Sequence, residues 1–264
     1  MISASFTSQL AGIAISGNYD DLDELHTAIH EVALPSDPIA GDPVGTGREI
    51  RVSTRLLALA YDIRHAYMGD REIQFVPNRV RDGVADYLGI SEDSGEIRYS
   101  VNVLYPEAIF ELMAISYLIE SYKGRLVGKR SFSEYDAKAF RIPLNKTIAV
   151  LRNCQATVAE AVKTELHQNS FSRWLKGVEN GYMYVGGLIP QWVDRKNLEY
   201  YRASEKRRRS LIVKTVGDMS LLPWHDDDYQ ELFEAVTSFA RENNCDISDV
   251  RCGKYDAYPQ EIEW

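Results

Sequence analysis

Five histidines are spread along a chain of 264 residues, and three of them stand at spacings that could do chemistry together. His26 and His30 are four apart in "DELHTAIHEV", with Asp23 three residues before the first. Asp62 and His65 are three apart in "YDIRHAYMGDREI". On a helix, residues three or four apart share one ridge. Two neutral imidazoles one turn apart can hold a divalent ion, and a carboxylate completes many such sites. If both polar ridges line one cleft, His26, His30, Asp62 and His65 form a candidate site for zinc or manganese, where a bound water could be activated for hydrolysis. Arg64 and Arg71 flank that run and are candidate contacts for an anionic substrate. The competing reading is plainer. "HTAIHE" is not H-E-x-x-H, and an imidazole at the edge of an apolar stripe simply packs half-exposed. His65 in a last helical turn interacts favourably with the helix C-terminus by about 0.3–1 kcal/mol. Residues 61–73 are then a helix, a stop at Gly69 and a strand.

Other constellations carry the same double reading. "KGRLVGKR" at 123–130 and "EKRRRS" at 205–210 concentrate cations, and Arg207 and Arg209 are candidate anion contacts for a nucleotide or nucleic acid. They would have to share a face with further cations, because the net charge is −9 and repels polyanions and anionic membranes. The 4 Trp and 16 Tyr are not interleaved with these runs as a base-stacking platform requires. Helix termination and a guarded sheet edge explain the runs more simply. "PWHDDDYQEL" at 223–232 looks like an acidic metal cluster, but a helix N-cap with two first-turn carboxylates accounts for it more simply. Glu107 and Glu111 lie one turn apart and would serve as an acid and base pair only inside a cleft, so Glu111 gains interest if it is buried. "GTGR" lacks the Lys-Ser/Thr end of a P-loop, and no G-x-S-x-G, Cys-His nucleophile, Rossmann or kinase signature is present.

The elements that must position these residues follow from periodicity. Strands are expected at 2–6 and 12–16, then a helix after Gly17 and Asn18, with Leu22, Leu25, Ile29 and Val32 at 3-4-3 spacing. Residues 34–47 carry three prolines and three glycines and read as a long surface loop. A second helix runs from Ser53 to Tyr67, with Leu56, Ala60, Ile63 and Tyr67 on one face. "REIQFV" reads as a strand and 79–87 as a short amphipathic helix. "EIRYSVNVLY" alternates over ten residues and is the strongest strand. Pro106 opens a helix that is apolar around nearly its whole circumference, which places it centrally. A long helix is expected over 144–166 and a shorter one capped by Ser170. "GYMYVGGLIP" reads as a strand or packed loop, "RRSLIVKTV" as a strand and "WHDDDYQELFEAVTSFAREN" as a capped helix. The expected fold is α+β: a mixed or antiparallel sheet packed against a helical layer, with a buried helix near 106–122. It forms one domain over 1–264, with 1–105 and 106–264 as possible lobes, and the two chain ends share the sheet.

Composition bounds the setting. A chain of this length buries enough apolar surface to need no disulfide or metal staple. Three cysteines with no C-x-x-C pair point to a reducing compartment. The first residues lack the charged start and apolar core of a secretory signal, and no run approaches eighteen apolar residues, so a cytoplasmic protein without a membrane span is expected.

"LAGIAISGNYDDLDELHTAIHE", "LALAYDIRHAYMGDREIQFV" and "YSVNVLYPEAIF" together resemble a family of uncharacterised bacterial proteins known only as a domain of unknown function. The likeness covers the first half of the chain and leaves the C-terminal third outside it. It implies a bacterial, cytoplasmic protein and brings no activity, cofactor or catalytic residue. The leading functional expectation is a binding or regulatory protein without chemistry, with a protein partner or self-association. The alternatives are the metal-dependent hydrolase and the nucleotide- or nucleic-acid-binding protein.

Overall fold

The structure, a computed structural model, describes residues 1–34, 47–77, 84, 87–89, 94–126, 144–180, 188–220, 225–251, 258–259 and 261–264. Four strands, β1 (Ser3–Phe6), β2 (Gly12–Gly17), β3 (Glu72–Pro77) and β4 (Gly95–Leu104), form one sheet in the order β1-β2-β4-β3. Every pairing is antiparallel. Among the described residues there are eight α-helices: α1 (Tyr19–Ala33), α2 (Gly47–His65), α3 (Tyr105–Leu126), α4 (Lys146–Lys163), α5 (Gln168–Asn180), α6 (Ile189–Arg202), α7 (Glu205–Met219) and α8 (Asp227–Glu242). The class is α+β, as expected.

Local chemistry explains most boundaries. Asn18 caps α1 by accepting from the Asp21 amide at 2.9 Å, and the Asp21 carboxylate accepts from the Asn18 amide at 3.2 Å. Leu22, Leu25, Ile29 and Val32 are all fully buried, as their spacing requires. The α2 helix ends at His65 in a π-turn over Ala66–Asp70, and Gly69 takes the left-handed φ of 92° that lets the chain enter β3. At Gly12 a Cβ would stand 2.0 Å from the Val103 carbonyl, so β2 and β4 approach each other only with glycine there.

The hairpin between β1 and β2 is tied into the helical layer. Tyr200 donates to the Leu10 carbonyl at 2.8 Å, and Arg208 donates to the Gln9 carbonyl at 2.8 Å. Thr7 accepts from the Gly12 amide at 3.0 Å. The Tyr105 ring sits between Phe6 and Tyr200, with centroids 5.5 and 5.4 Å away. These contacts dock the sheet onto α6 and α7.

Helix α3 is the hub. It packs against α1, α2, α4, α5, α6, α7, β2 and β4, and its buried residues include Ile109, Phe110, Ile115, Leu118 and Ile119. Burial along β4 is graded rather than alternating: Val101, Val103 and Leu104 are buried, whereas Ile97 is 53% exposed. The period of two is present, but the strand runs out past the helices that cover its second half.

Three expectations need correction. "RRSLIVKTV" is not a strand but the middle of α7, where Arg208, Leu211, Ile212, Thr215 and Val216 form a buried stripe at helical spacing. β-Branched residues favour strands only weakly, and the stripe packed on α3 and α5 overrides that preference. Among the described residues the sheet is built wholly from residues 3–104, so no strand from the C-terminal part joins it there. Ser170 lies inside α5, which starts at Gln168, rather than capping it. The loop over 34–47 from Pro35 to Thr46, most of the helix expected at 79–87 and "GYMYVGG" lie outside the described residues.

Candidate functional site

The histidines are not gathered. His26 and His30 do face each other on α1, with ring centroids 4.4 Å apart. Burial, reinforced by the neighbouring His30, holds the His26 pKa below its ordinary value. His65, however, is bound through Nδ1 to Asp70 Oδ2 at 2.7 Å and packs on the Tyr61 ring. Asp62 accepts from Arg71 at 2.8 Å. Arg64 is exposed and acts on His26 and Tyr67 through its charge. Among the described residues no three His, Cys, Asp or Glu side chains are grouped so as to hold a metal ion. The run at 61–73 is thus a helix end whose charges are paired locally, across the turn made by Gly69.

The basic run at 205–210 is divided by the helix it belongs to. Arg208 is buried and donates to the Gln9, Tyr200 and Tyr201 carbonyls, closing the C-terminal turn of α6. Arg209 pairs with Glu165 at 3.5 Å and Glu205 at 3.6 Å. Arg207 lies on another face, in a shallow groove with Arg195, Arg202 and Lys214. The acidic run at 226–228 is structural too. Asp226 caps α8 by accepting from the Tyr229 amide at 2.8 Å, and Asp228 binds Lys196.

The site that does assemble lies elsewhere, in a cavity of about 660 Å³ bounded by α2, the end of β4, the first turns of α3, α6 and the C-terminal residues. Arg55 of α2 organises it. Its Nε donates to Glu107 Oε1 at 2.7 Å and its Nη2 to Glu107 Oε2, a two-pronged pair. Its Nη1 donates to Asp194 Oδ1 at 3.0 Å and to the Pro190 carbonyl at 2.9 Å, so α2, α3 and α6 are joined through one guanidinium. Burial works against that cation, but Glu107 and then Asp194 outweigh it and hold its pKa above the ordinary value. Asn197 donates to Glu107 Oε2 at 2.8 Å, and Tyr258 donates to Asp194 Oδ1 at 3.2 Å.

Glu111 lies one turn further along α3 on the wall of the same cavity and is only 5% exposed. Its carboxyl forms no hydrogen bond among the described residues. Burial first, and then the negative charge of Glu107, push its pKa well above the carboxylate range. Burial thus favours the protonated carboxyl over its charged form. Two more polar atoms on this wall are buried without partners, Asn102 Oδ1 and Asn197 Oδ1. The cavity thus offers two bare acceptors and one unengaged carboxyl beside an ion pair that is already satisfied.

Sequence reasoning reached Glu107, Glu111 and Asp62 but not Arg55, Asn102, Asp194 or Asn197 as site residues. Arg55 meets Glu107 across 52 residues and Asp194 across 139. No periodicity or local motif encodes such separations.

Among the described residues no helix is long and apolar enough to cross a membrane. Comparisons with curated proteins and with solved structures give no match. The family comparison reaches beyond the first half of the chain, to residues 2–264, and by that match the chain belongs to the family described as Domain of unknown function (DUF6904).

Proposed function

We propose that the protein is a binding protein whose cavity beside Arg55 takes a small polar molecule rich in N–H or O–H donors. The observation that carries this reading is the clustering of two buried, unpartnered acceptors, Asn102 Oδ1 and Asn197 Oδ1, with the buried Glu111 on one wall. Nearly all buried polar groups in folded proteins are hydrogen-bonded, and an orphan costs about 1–3 kcal/mol. Two at one cavity, beside a buried carboxyl, indicate a shared partner rather than separate defects. The volume is in the range of small-molecule sites. Arg55 gives the wall rigidity: with its donors engaged by Glu107, Asp194 and Pro190, it fixes the acceptors rather than reaching for ligand.

A thermal-shift screen against several hundred small polar metabolites tests the reading. The expected result is a saturable rise in Tm for at least one chemical class. A ligand at a hundred times its Kd adds about 2.7 kcal/mol to stability. The rise should vanish in Asn102→Leu and Asn197→Leu, each of which removes one bare acceptor. A screen without a saturable shift, or shifts untouched by both substitutions, overturns it.

A further inference from the structure

Resting on that reading, we propose that the ligand is a small organic cation, an amidinium, guanidinium or protonated amine, whose N–H groups are received by Glu111, Asn102 Oδ1 and Asn197 Oδ1. Among the described residues the cavity wall carries the side-chain carboxyl groups of Asp62, Glu107, Glu111 and Asp194 against two cations, Arg55 and Arg251. Arg55 is consumed by Glu107 and Asp194, and Asp62 by Arg71, which leaves Glu111 as the carboxyl without a counter-charge. An anion entering here would meet bare carbonyl oxygens and carboxylates and no disengaged donor from Arg55. A cation would meet two acceptors and an acid able to become its counter-ion.

The step balances simply. The Glu111 carboxyl, which burial favours in its protonated form, gives that proton to solvent as the cation arrives, and the resulting carboxylate accepts the ligand's N–H groups. Net charge in the cavity is unchanged, because one positive charge enters and one leaves. Opposite charges held close in a shielded site attract far more strongly than in water, so the ligand itself supplies the drive for ionisation. An uncharged molecule of the same shape leaves the proton where it is.

Butylguanidinium and its uncharged counterpart butylurea separate the possibilities, by titration calorimetry at pH 7 in phosphate and in Tris. The two buffers differ in ionisation enthalpy, so the difference in heat counts protons. Butylguanidinium is expected to bind at least tenfold more tightly than butylurea and to release close to one proton. Glu111→Gln, a neutral isostere, should weaken butylguanidinium at least tenfold, abolish the release and remove the preference for butylguanidinium over butylurea. Equal binding of the two probes overturns the cation assignment and leaves a neutral-ligand site standing, whereas tighter butylguanidinium binding with no proton released overturns the proton-release step. Binding of neither probe, together with a blank polar-metabolite screen, overturns the cavity reading as well.

Discussion

Arg55 and Glu107 stand 52 residues apart and meet as a two-pronged ion pair, Nε to Oε1 at 2.7 Å, with both side chains largely buried. The pair joins α2 to the start of the central helix, and Asp194 extends it to α6. Removing one partner strands the others.

Arg55→Ala leaves Glu107 and Asp194 facing each other without a counter-charge. Breaking a buried pair from one side costs about 3–5 kcal/mol, and the partial exposure of Asp194 places this case at about 3 kcal/mol. Arg55→Lys should recover only part of it, because an ammonium cannot serve the fork and the Pro190 carbonyl together. Urea denaturation of the three proteins decides it; a loss below about 1 kcal/mol for Arg55→Ala would contradict the bridging role.

Glu111 sets a pH dependence of definite sign. Its folded pKa is raised, so above the unfolded value of about 4.3 the native chain holds a proton that the unfolded chain has lost. Its contribution is fully present below that pH and is lost as pH rises towards the folded pKa. Glu111→Gln removes this slope and should make the protein more stable than wild type at pH 7 to 8, with the difference shrinking near pH 4. Parallel melting curves across that range check it; a wild type that gains on the variant as pH rises would refute the upward shift.

His26 acts in the opposite sense. Its pKa is lowered by burial and by His30, with Asp23 opposing and Arg64 adding to the shift, so the unfolded chain holds the extra proton near pH 6.5. Stability from this group is present above that value and falls away as pH drops towards the folded pKa. Asn at position 26 should flatten the profile between pH 5 and 7, and His30→Asn should flatten it partly. Denaturation midpoints at pH 5.5 and 7.5 give the answer, and unchanged differences in both variants would rule the effect out.

Arg208 and Arg209 are neighbours with different tasks. Arg208→Ala leaves three carbonyls at the α6 end and the hairpin without a donor, at a cost of about 2–3 kcal/mol. Arg209→Ala loses exposed pairs to Glu165 and Glu205 and should stay within about 0.5 kcal/mol of wild type. Equal effects in a chemical melt would remove the distinction.

Periodicity along the chain was enough to place α1, α3, α8 and the four strands. Leu22 to Val32, the apolar girth of 108–119 and the capped start at Asp226 are local patterns, and local patterns follow from backbone geometry alone. The same reasoning failed at "RRSLIVKTV", where Ile212, Val213, Thr215 and Val216 are rich enough in β-branched side chains to imitate a strand. Only the helices available to bury Leu211, Ile212, Thr215 and Val216 decided the matter. The dispersal of the histidines and the assembly of Arg55, Glu107, Glu111, Asn102, Asp194 and Asn197 were decided by tertiary packing as well. Which charges find each other depends on which helix faces meet, and that is settled by the summed burial of many apolar side chains. No residue within four positions of Arg55 carries the information that it will stand against Glu107 and Asp194.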